Sequence, residues 1–430
     1  MIERITERLA RRARWFDVIE TRGSSTPVSF ANNRLHSITD RHNSGFGVRV
    51  NVNGKTGFSY TNDESRLEET ADRALALAAW GDEEDFDLPA AAPKPFEPYD
   101  TAIESFDPER EIAGIEESIA ALRARFPAAM VDADVSASSG SARIINSRGL
   151  DASYRSSSYS VRLSATLILD DGTRIETGES ASILAPGSHE IFREKIIRKL
   201  EAASTPASLG SGKVPVLLSP RAFARFAGIM AAGLNAKSVW KGISPFADRL
   251  GEGMFVESLT VRDDPTLADS PYSYPFDDEG IAGTGKLLVD RGTIATFIND
   301  LKYAGKLGAA PTGNGTRGYS SLPYPSFSNI IIDPGTETLE SIIGSMKRGI
   351  LVEQFIGLGQ SNTITGDFSA NLDLAYLIEN GKIAGRVKDC MIADNLFKLL
   401  KSEIVMSAER ERTGSVLAPS ALFPALNFTG

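Results

Sequence analysis

The stretch GFGVRVNVNGKTGFSYT, residues 45–61, admits few folds. Val48, Val50 and Val52 alternate with polar residues, so an extended chain there has one apolar face. The alternation breaks at Asn53-Gly54 and then resumes. Asn-Gly supplies two residues that tolerate positive φ, as a two-residue hairpin turn requires, so the segment predicts an antiparallel hairpin. Similar breaks stand at Asp171-Gly172, Arg291-Gly292 and Asn380-Gly381. Helical patterns fall between such runs. Residues 1–14 place Ile2, Ile5, Leu9 and Ala13 on one side, and Asp63 caps a helix to about Trp80. Asp107-Pro108 opens a helix to about Arg125, and others are predicted over 190–203, 220–234, 297–307 and 391–402. Helices and strands come in separate runs with tight turns. That predicts an α+β fold: an N-terminal mixed α/β region with antiparallel sheet, and a strand-rich C-terminal domain of mostly antiparallel sheet.

A chain of 430 residues exceeds one ordinary core. The segment LPAAAPKPFEPYD, residues 88–100, carries four prolines and reads as a linker or surface crossing. The expected division is an α+β domain over 1–87, a linker over 88–106, a middle α+β domain over 107–205 and a strand-rich domain over 206–430. The net charge of -10 argues against a direct nucleic-acid partner. The basic run of Arg8, Arg11, Arg12 and Arg14 reads as the solvated face of the first helix. Cys390 is the single cysteine, so no intrachain disulfide forms. No apolar run reaches the ~18 residues of a membrane span, and no signal-peptide core is present. The expectation is a cytoplasmic protein with no membrane partner.

Several motifs fail on context. GIAGTGKL, residues 280–287, has P-loop spacing but Leu287 in place of Ser/Thr, and a hairpin follows where a helix is needed. GNGTRG, residues 313–318, lacks the flanking strand and helix of a dinucleotide site. There is no GxSxG. His36, His42 and His189 have no metal-ligand spacing. Two acidic clusters remain: VRDDPTLADS with Asp263 and Asp264, and YPFDDEGIAG with Asp277, Asp278 and Glu279. They are candidates for an alternative polar site, since carboxylates hold hard cations. They also read as turns, because Asp-Pro and Glu-Gly form turns and adjacent strand residues point to opposite faces.

RFAGIMAAGL, residues 225–234, patterns as helix yet carries Gly228 and Gly233, each costing about 1 kcal/mol relative to alanine. The stretch 261–317, the stretch ITGDFSANLDLAYLIENGKIAGRVKDCMIADNLFKLL, and the earlier GFGVRVNVNGKTGFSYTND and IINSRGLDASYRSS together resemble the TldD/PmbA family, long labelled modulators of DNA gyrase. The resemblance covers nearly the whole chain in order. It implies a cytoplasmic peptidase assembly, in which TldD-like subunits carry HExxxH and a C-terminal cysteine as zinc site, and PmbA (TldE) subunits lack them. Counted from the strand VLLSP, Gly228, Ile229 and Gly233 stand where HExxxH would lie, and residues 406–430 hold no cysteine. Cys390 lies on a different family segment and inherits no ligand role. The expectation is therefore a metal-free, non-catalytic subunit with no cofactor, and with zinc only in a TldD-like partner. It would pair with that partner or with itself, on unfolded peptide. Two alternatives stand beside it: a self-sufficient hydrolase using another metal at the acidic clusters, or a regulatory peptide-binding protein whose link to gyrase is indirect.

Overall fold

A computed structural model describes residues 2–91, 93–358, 362 and 364–430. Met1 of the predicted first helix and Ala92 of the proline-rich segment lie outside the described residues. Strands β1 (Trp15–Ala31), β2 (Arg34–Ile38), β3 (Arg41–Val52), β4 (Lys55–Thr61), β5 (Met130–Asn146), β6 (Asp151–Ile168) and β7 (Arg174–Ile183) form one sheet. Its order is β4-β3-β1-β5-β6-β7, with β2 beside β1. All its neighbours are antiparallel. Strands from both sides of the proline-rich segment thus share it: β1 runs in register with β5 from Asp17↔Asn146 to Phe30↔Ala133.

Phe16, Val18, Val28 and Phe30 share one phase of the β1 alternation, so one face is apolar at both ends. Helices α1 (Ile2–Ala10) and α2 (Leu67–Leu77) cover one end, packing Ile5, Leu9, Leu67 and Ala71 on Phe16, Val18, Val48 and Val50. The chain reaches α2 through a 3-10 turn capped by Asp63. Helices α3 (Pro108–Arg125) and α4 (Glu190–Ala203) cover the other end, with Ile115, Ile119, Ile196 and Leu200 on Val28, Val131 and Val161. The opposite phase of β1, with Trp15 and Asp17, faces the C-terminal part of the chain.

That part begins with β8 (Pro206–Ala207), β9 (Gly212–Leu218), α5 (Pro220–Gly233) and α6 (Ala236–Trp240). Then come β10 (Val261–Asp263), β11 (Lys286–Asp290), β12 (Thr293–Ile294), α7 (Leu301–Leu307), β13 (Gly315–Thr316), β14 (Tyr324–Pro325) and β15 (Ile330–Ile332). It ends with α8 (Leu339–Ser345), β16 (Arg348–Ile356), β17 (Asp367–Glu379), β18 (Lys382–Val387), β19 (Met391–Asn395), α9 (Leu396–Leu399), β20 (Val405–Thr413) and β21 (Val416–Thr429). All but β13 and β14 belong to a second sheet, of path β12-β11-β10-β15-β21-β9-β16-β17-β18-β8, with β19 and β20 beside it. The pairs β15–β21, β16–β9 and β18–β8 are parallel and the rest antiparallel. The fold is α+β, as the sequence predicts.

All four predicted hairpin turns are present, at the β3–β4, β6–β7, β11–β12 and β17–β18 joints. At three of them both turn residues have positive φ: Asn53 and Gly54, Arg291 and Gly292, Asn380 and Gly381. Two helix predictions are corrected. Residues 391–402 are not one helix: Met391–Asn395 is strand β19, paired with β17 and β21, and helix follows only over Leu396–Leu399. MIADNLFKLL suits either period, and the two neighbouring strand edges decide it. The helix expected from 297 starts at Leu301, because the Asp300 side chain accepts from the Tyr303 amide and caps it. Cys390 is buried at the entry to β19, and burial pushes its thiol up to about 11. No helix among the described residues is long and apolar enough to cross a membrane.

Candidate functional site

Helix α5 starts where β9 ends. Ser219 accepts from the Ala222 amide at 3.3 Å and Pro220 takes the first turn, where a missing N–H costs nothing. Phe223, Phe226, Ala227, Met230 and Ala231 bury one side. Phe223 meets Phe423 of β21 edge-on, and Phe226 sits between Phe355 of β16 and Phe368 of β17. Arg221, Arg225, Gly228 and Ile229 line a groove of about 410 Å³ whose other wall is Glu353, Gln354 and Phe355 of β16.

The two glycines have different reasons. A Cβ on Gly233 would stand 2.7 Å from the Phe246 ring, and Phe246 is itself buried between Phe255 and Phe397. Gly233 is thus a close approach that no larger residue fits. A Cβ on Gly228 would meet nothing within 4 Å, because Gly228 opens onto the groove.

Among the described residues, the end of the facing strand is paired on one side alone. β16 pairs with β9 only up to Val352↔Leu218, where the Ser219 amide donates to the Val352 carbonyl and the chain turns into α5. Beyond that point Glu353 bulges out of the ladder, Gln354–Ile356 keeps its β17 partners on one side, and Gln354 and Phe355 line the groove on the other. Lys199 of α4 fastens this wall, with Nζ 2.6 Å from Glu179 and 2.8 Å from Glu353. Burial lowers the Lys199 pKa, but Glu353 and Glu179 outweigh it and hold the ammonium above its usual range.

The groove's own chemistry is sparse. The fourteen residues of α5 include no His, Cys, Asp or Glu. Gly228, Ile229 and Gly233 offer no atom that ligates zinc or moves a proton, so this helix does not fit a zinc ion. Among the described residues, no group of three or more His, Cys, Asp and Glu is placed to hold a metal.

The acidic candidates fall elsewhere, and each accepts from at least one donor of the chain itself. Asp263 is fully buried and accepts from the Ser328 amide and hydroxyl, Asn314 and Lys286. Asp264 closes a local turn on Thr266. Asp277 accepts from the Glu279, Ile281 and Gly315 amides. Asp278 accepts from the Arg317 amide. Glu279 accepts from the Leu301 amide at 2.7 Å and from Arg49 at 2.7 Å.

Glu279 belongs to a chain of charges that sequence reasoning missed. Arg49 of β3 bonds both Glu279 and Asp17 of β1, and Arg317 bonds the other oxygen of Asp17 at 2.7 Å. The four side chains are 0–2% exposed. Burial raises the Asp17 pKa, yet Arg317 and Arg49 together hold it below the usual carboxylate range. Asp300 lies beside the network, and burial with the nearby Glu279 charge pushes its carboxyl up to about 7. The network ties the N-terminal sheet to the C-terminal loops. Its sequence trace is Arg49 between Val48 and Val50, which by alternation reads as solvent-facing; only the packing of a second layer makes it buried.

Comparison with known families settles the ancestry of this arrangement. The model for the PmbA/TldA metallopeptidase C-terminal domain matches residues 211–430, domain 1 matches 16–78, and the central domain matches 102–202. The chain belongs to the PmbA/TldA metallopeptidase family. An uncharacterized protein of Methanocaldococcus jannaschii is 30% identical over 384 residues, 88% of each chain. A protein of Haemophilus influenzae named as a metalloprotease PmbA homolog is 25% identical, over 96% of this chain and 92% of its own. The crystal structure of TldE from Thermococcus kodakarensis superposes with a TM-score of 0.93 over the full length of both chains at 22% identity, which establishes the shared fold.

Proposed function

We propose that this chain is a metal-free subunit of a TldD/TldE-type peptidase, which pairs with a zinc-bearing TldD-like chain or with a second copy of itself and helps hold unfolded peptide. The observation that carries the reading is the side-chain content of α5: glycine, isoleucine and glycine at the positions implied for HExxxH, with no acidic or imidazole group anywhere on the helix. A metallopeptidase needs a metal-bound water and a group to take its proton. In this reading both come from the partner. The role left to this groove is to bind extended chain. The edge of Gln354–Ile356, unpaired on the groove side among the described residues, offers backbone groups to an added strand, and Gly228 leaves room beside it.

Co-expression with the TldD-like chain of the same host tests this. The expected result is a stable complex that cleaves an unfolded peptide, loses activity with chelator, and is inert as this subunit alone. Peptide hydrolysis by the purified chain alone, with stoichiometric metal, would overturn the proposal.

A further inference from the structure

A second cavity, of about 300 Å³, lies between β6 and the loops 271–278 and 326–328. Neither the peptidase reading nor the groove at α5 uses it. Five of its lining residues are aromatic: Tyr154, Tyr272, Tyr274, Phe276 and Phe327. Tyr154 and Phe276 pack edge-to-face at 5.1 Å, and the Tyr274 hydroxyl is fixed on the Gly313 carbonyl at 2.9 Å. These three rings are therefore held in place before any ligand arrives.

Asp277 and Asp278 complete the lining. Among the described residues that line the cavity there is no Lys, Arg or His. Both Asp277 oxygens are satisfied by backbone amides. Asp278 differs: Oδ2 accepts from the Arg317 amide, and Oδ1 accepts from no donor among the described residues. The Arg317 guanidinium does not supply one, because Nε donates to the Asp278 backbone carbonyl and Nη2 to Asp17. The carboxylate is partly exposed at the cavity and no cationic side chain bonds it; desolvation pushes it up to about 6, although the nearby Arg317 charge draws it down.

We propose that this cavity binds an organic cation, a small alkylammonium group, with Asp278 as counter-ion and the tyrosine and phenylalanine rings around it. Aromatic rings attract such cations through their quadrupoles, most strongly where water is excluded. An ammonium pairs with the open Asp278 oxygen, by a charge-assisted hydrogen bond where it carries N–H and by charge alone where it is quaternary. An anion would face two carboxylates, and a neutral ligand would gain no charge pairing with Asp278. The volume is at the small end of ligand sites, which suits a head group rather than a long chain.

Isothermal titration of the purified chain with choline, and with its neutral carbon isostere 3,3-dimethylbutan-1-ol, tests this. Choline should bind saturably and at least roughly tenfold more tightly than the isostere, the scale of a desolvated cation contact. The comparison needs no variant. Asp278→Asn keeps an oxygen for the Arg317 amide and should weaken choline by a similar factor. Trialanine amide and its N-acetylated form identify the source of the cation. Tighter binding of the free amine form than of both its acetylated form and choline assigns the site to a peptide N-terminus, and tighter binding of choline assigns it to a small quaternary ammonium; either supports the proposal. Equal affinity for choline and its isostere, or no saturable binding of any ammonium probe up to about 10 mM, would overturn it.

Discussion

Replacing Arg49 by methionine is the sharpest perturbation of how the two sheets are joined. Arg49 donates to Asp17 through Nε and Nη2 and to Glu279 through Nη1. Methionine keeps most of the side-chain volume and removes the charge. Glu279 would then be fully buried with one donor, the Leu301 amide, and Asp17 would depend on Arg317 alone. Breaking a buried ion pair by deleting one member costs about 3–5 kcal/mol, because a charge is left without compensation. The guanidinium also lies 5.4 Å from the Trp15 ring centre and 5.5 Å from that of Phe86, adding roughly 0.5–2 kcal/mol. The expected loss is thus about 4–7 kcal/mol, read as a lowered urea midpoint by circular dichroism and tryptophan fluorescence. Adding Glu279→Gln to Arg49→Met should recover part of it, since the stranded anion is then gone. A loss below about 1 kcal/mol, the value of exposed pairs, would refute the assignment of these charges as a buried clamp.

Four further outcomes follow from the same structure. Gly228→Ala should stabilise the chain by roughly 0.5–1 kcal/mol, because its Cβ meets open space, whereas Gly233→Ala should destabilise it by about 1–3 kcal/mol against Phe246; equal effects in urea denaturation would contradict the two roles. Asp17 is held below its ordinary value of 3.8, so its contribution is complete above that pH and disappears as pH falls through the lower folded value; Asp17→Asn should therefore flatten the acid limb of the stability curve. Asp278 has the opposite sign: its raised carboxyl opposes folding at neutral pH, so the stability gained by Asp278→Asn should shrink as pH is lowered from 8 to 5 in matched denaturation curves. Tyr159→Phe removes the hydroxyl shared by Glu111 at 2.7 Å and His189 at 2.6 Å in the buried seam of α3, α4 and β6, and should lower the thermal midpoint by the equivalent of about 1–3 kcal/mol.

Local chemistry was legible in the sequence wherever a residue acts on its own neighbours. The hairpin turns follow from residues that tolerate positive φ, and the caps at Asp63 and Asp107 follow from side chains that reach amides two or three residues on. The lack of a P-loop was equally local, since Lys286 opens strand β11 rather than a helix. The missing imidazole and carboxylate groups of α5 need no coordinates at all.

Tertiary structure decided what depends on contacts distant in sequence. It joined β1 to β5 across the proline-rich segment, and it made a strand of Met391–Asn395 because β17 and β21 offered edges on both sides. It separated Gly228, which faces a groove, from Gly233, which touches Phe246, although the two are alike in sequence. It also gave the five acidic candidates different fates. Asp264 closes a turn, Asp263 and Asp277 are enclosed by donors, Glu279 meets an arginine 230 positions away, and Asp278 keeps one oxygen open to an aromatic cavity. A carboxylate's role is set by the donors and the dielectric around it, and both come from chain segments that only the fold brings near.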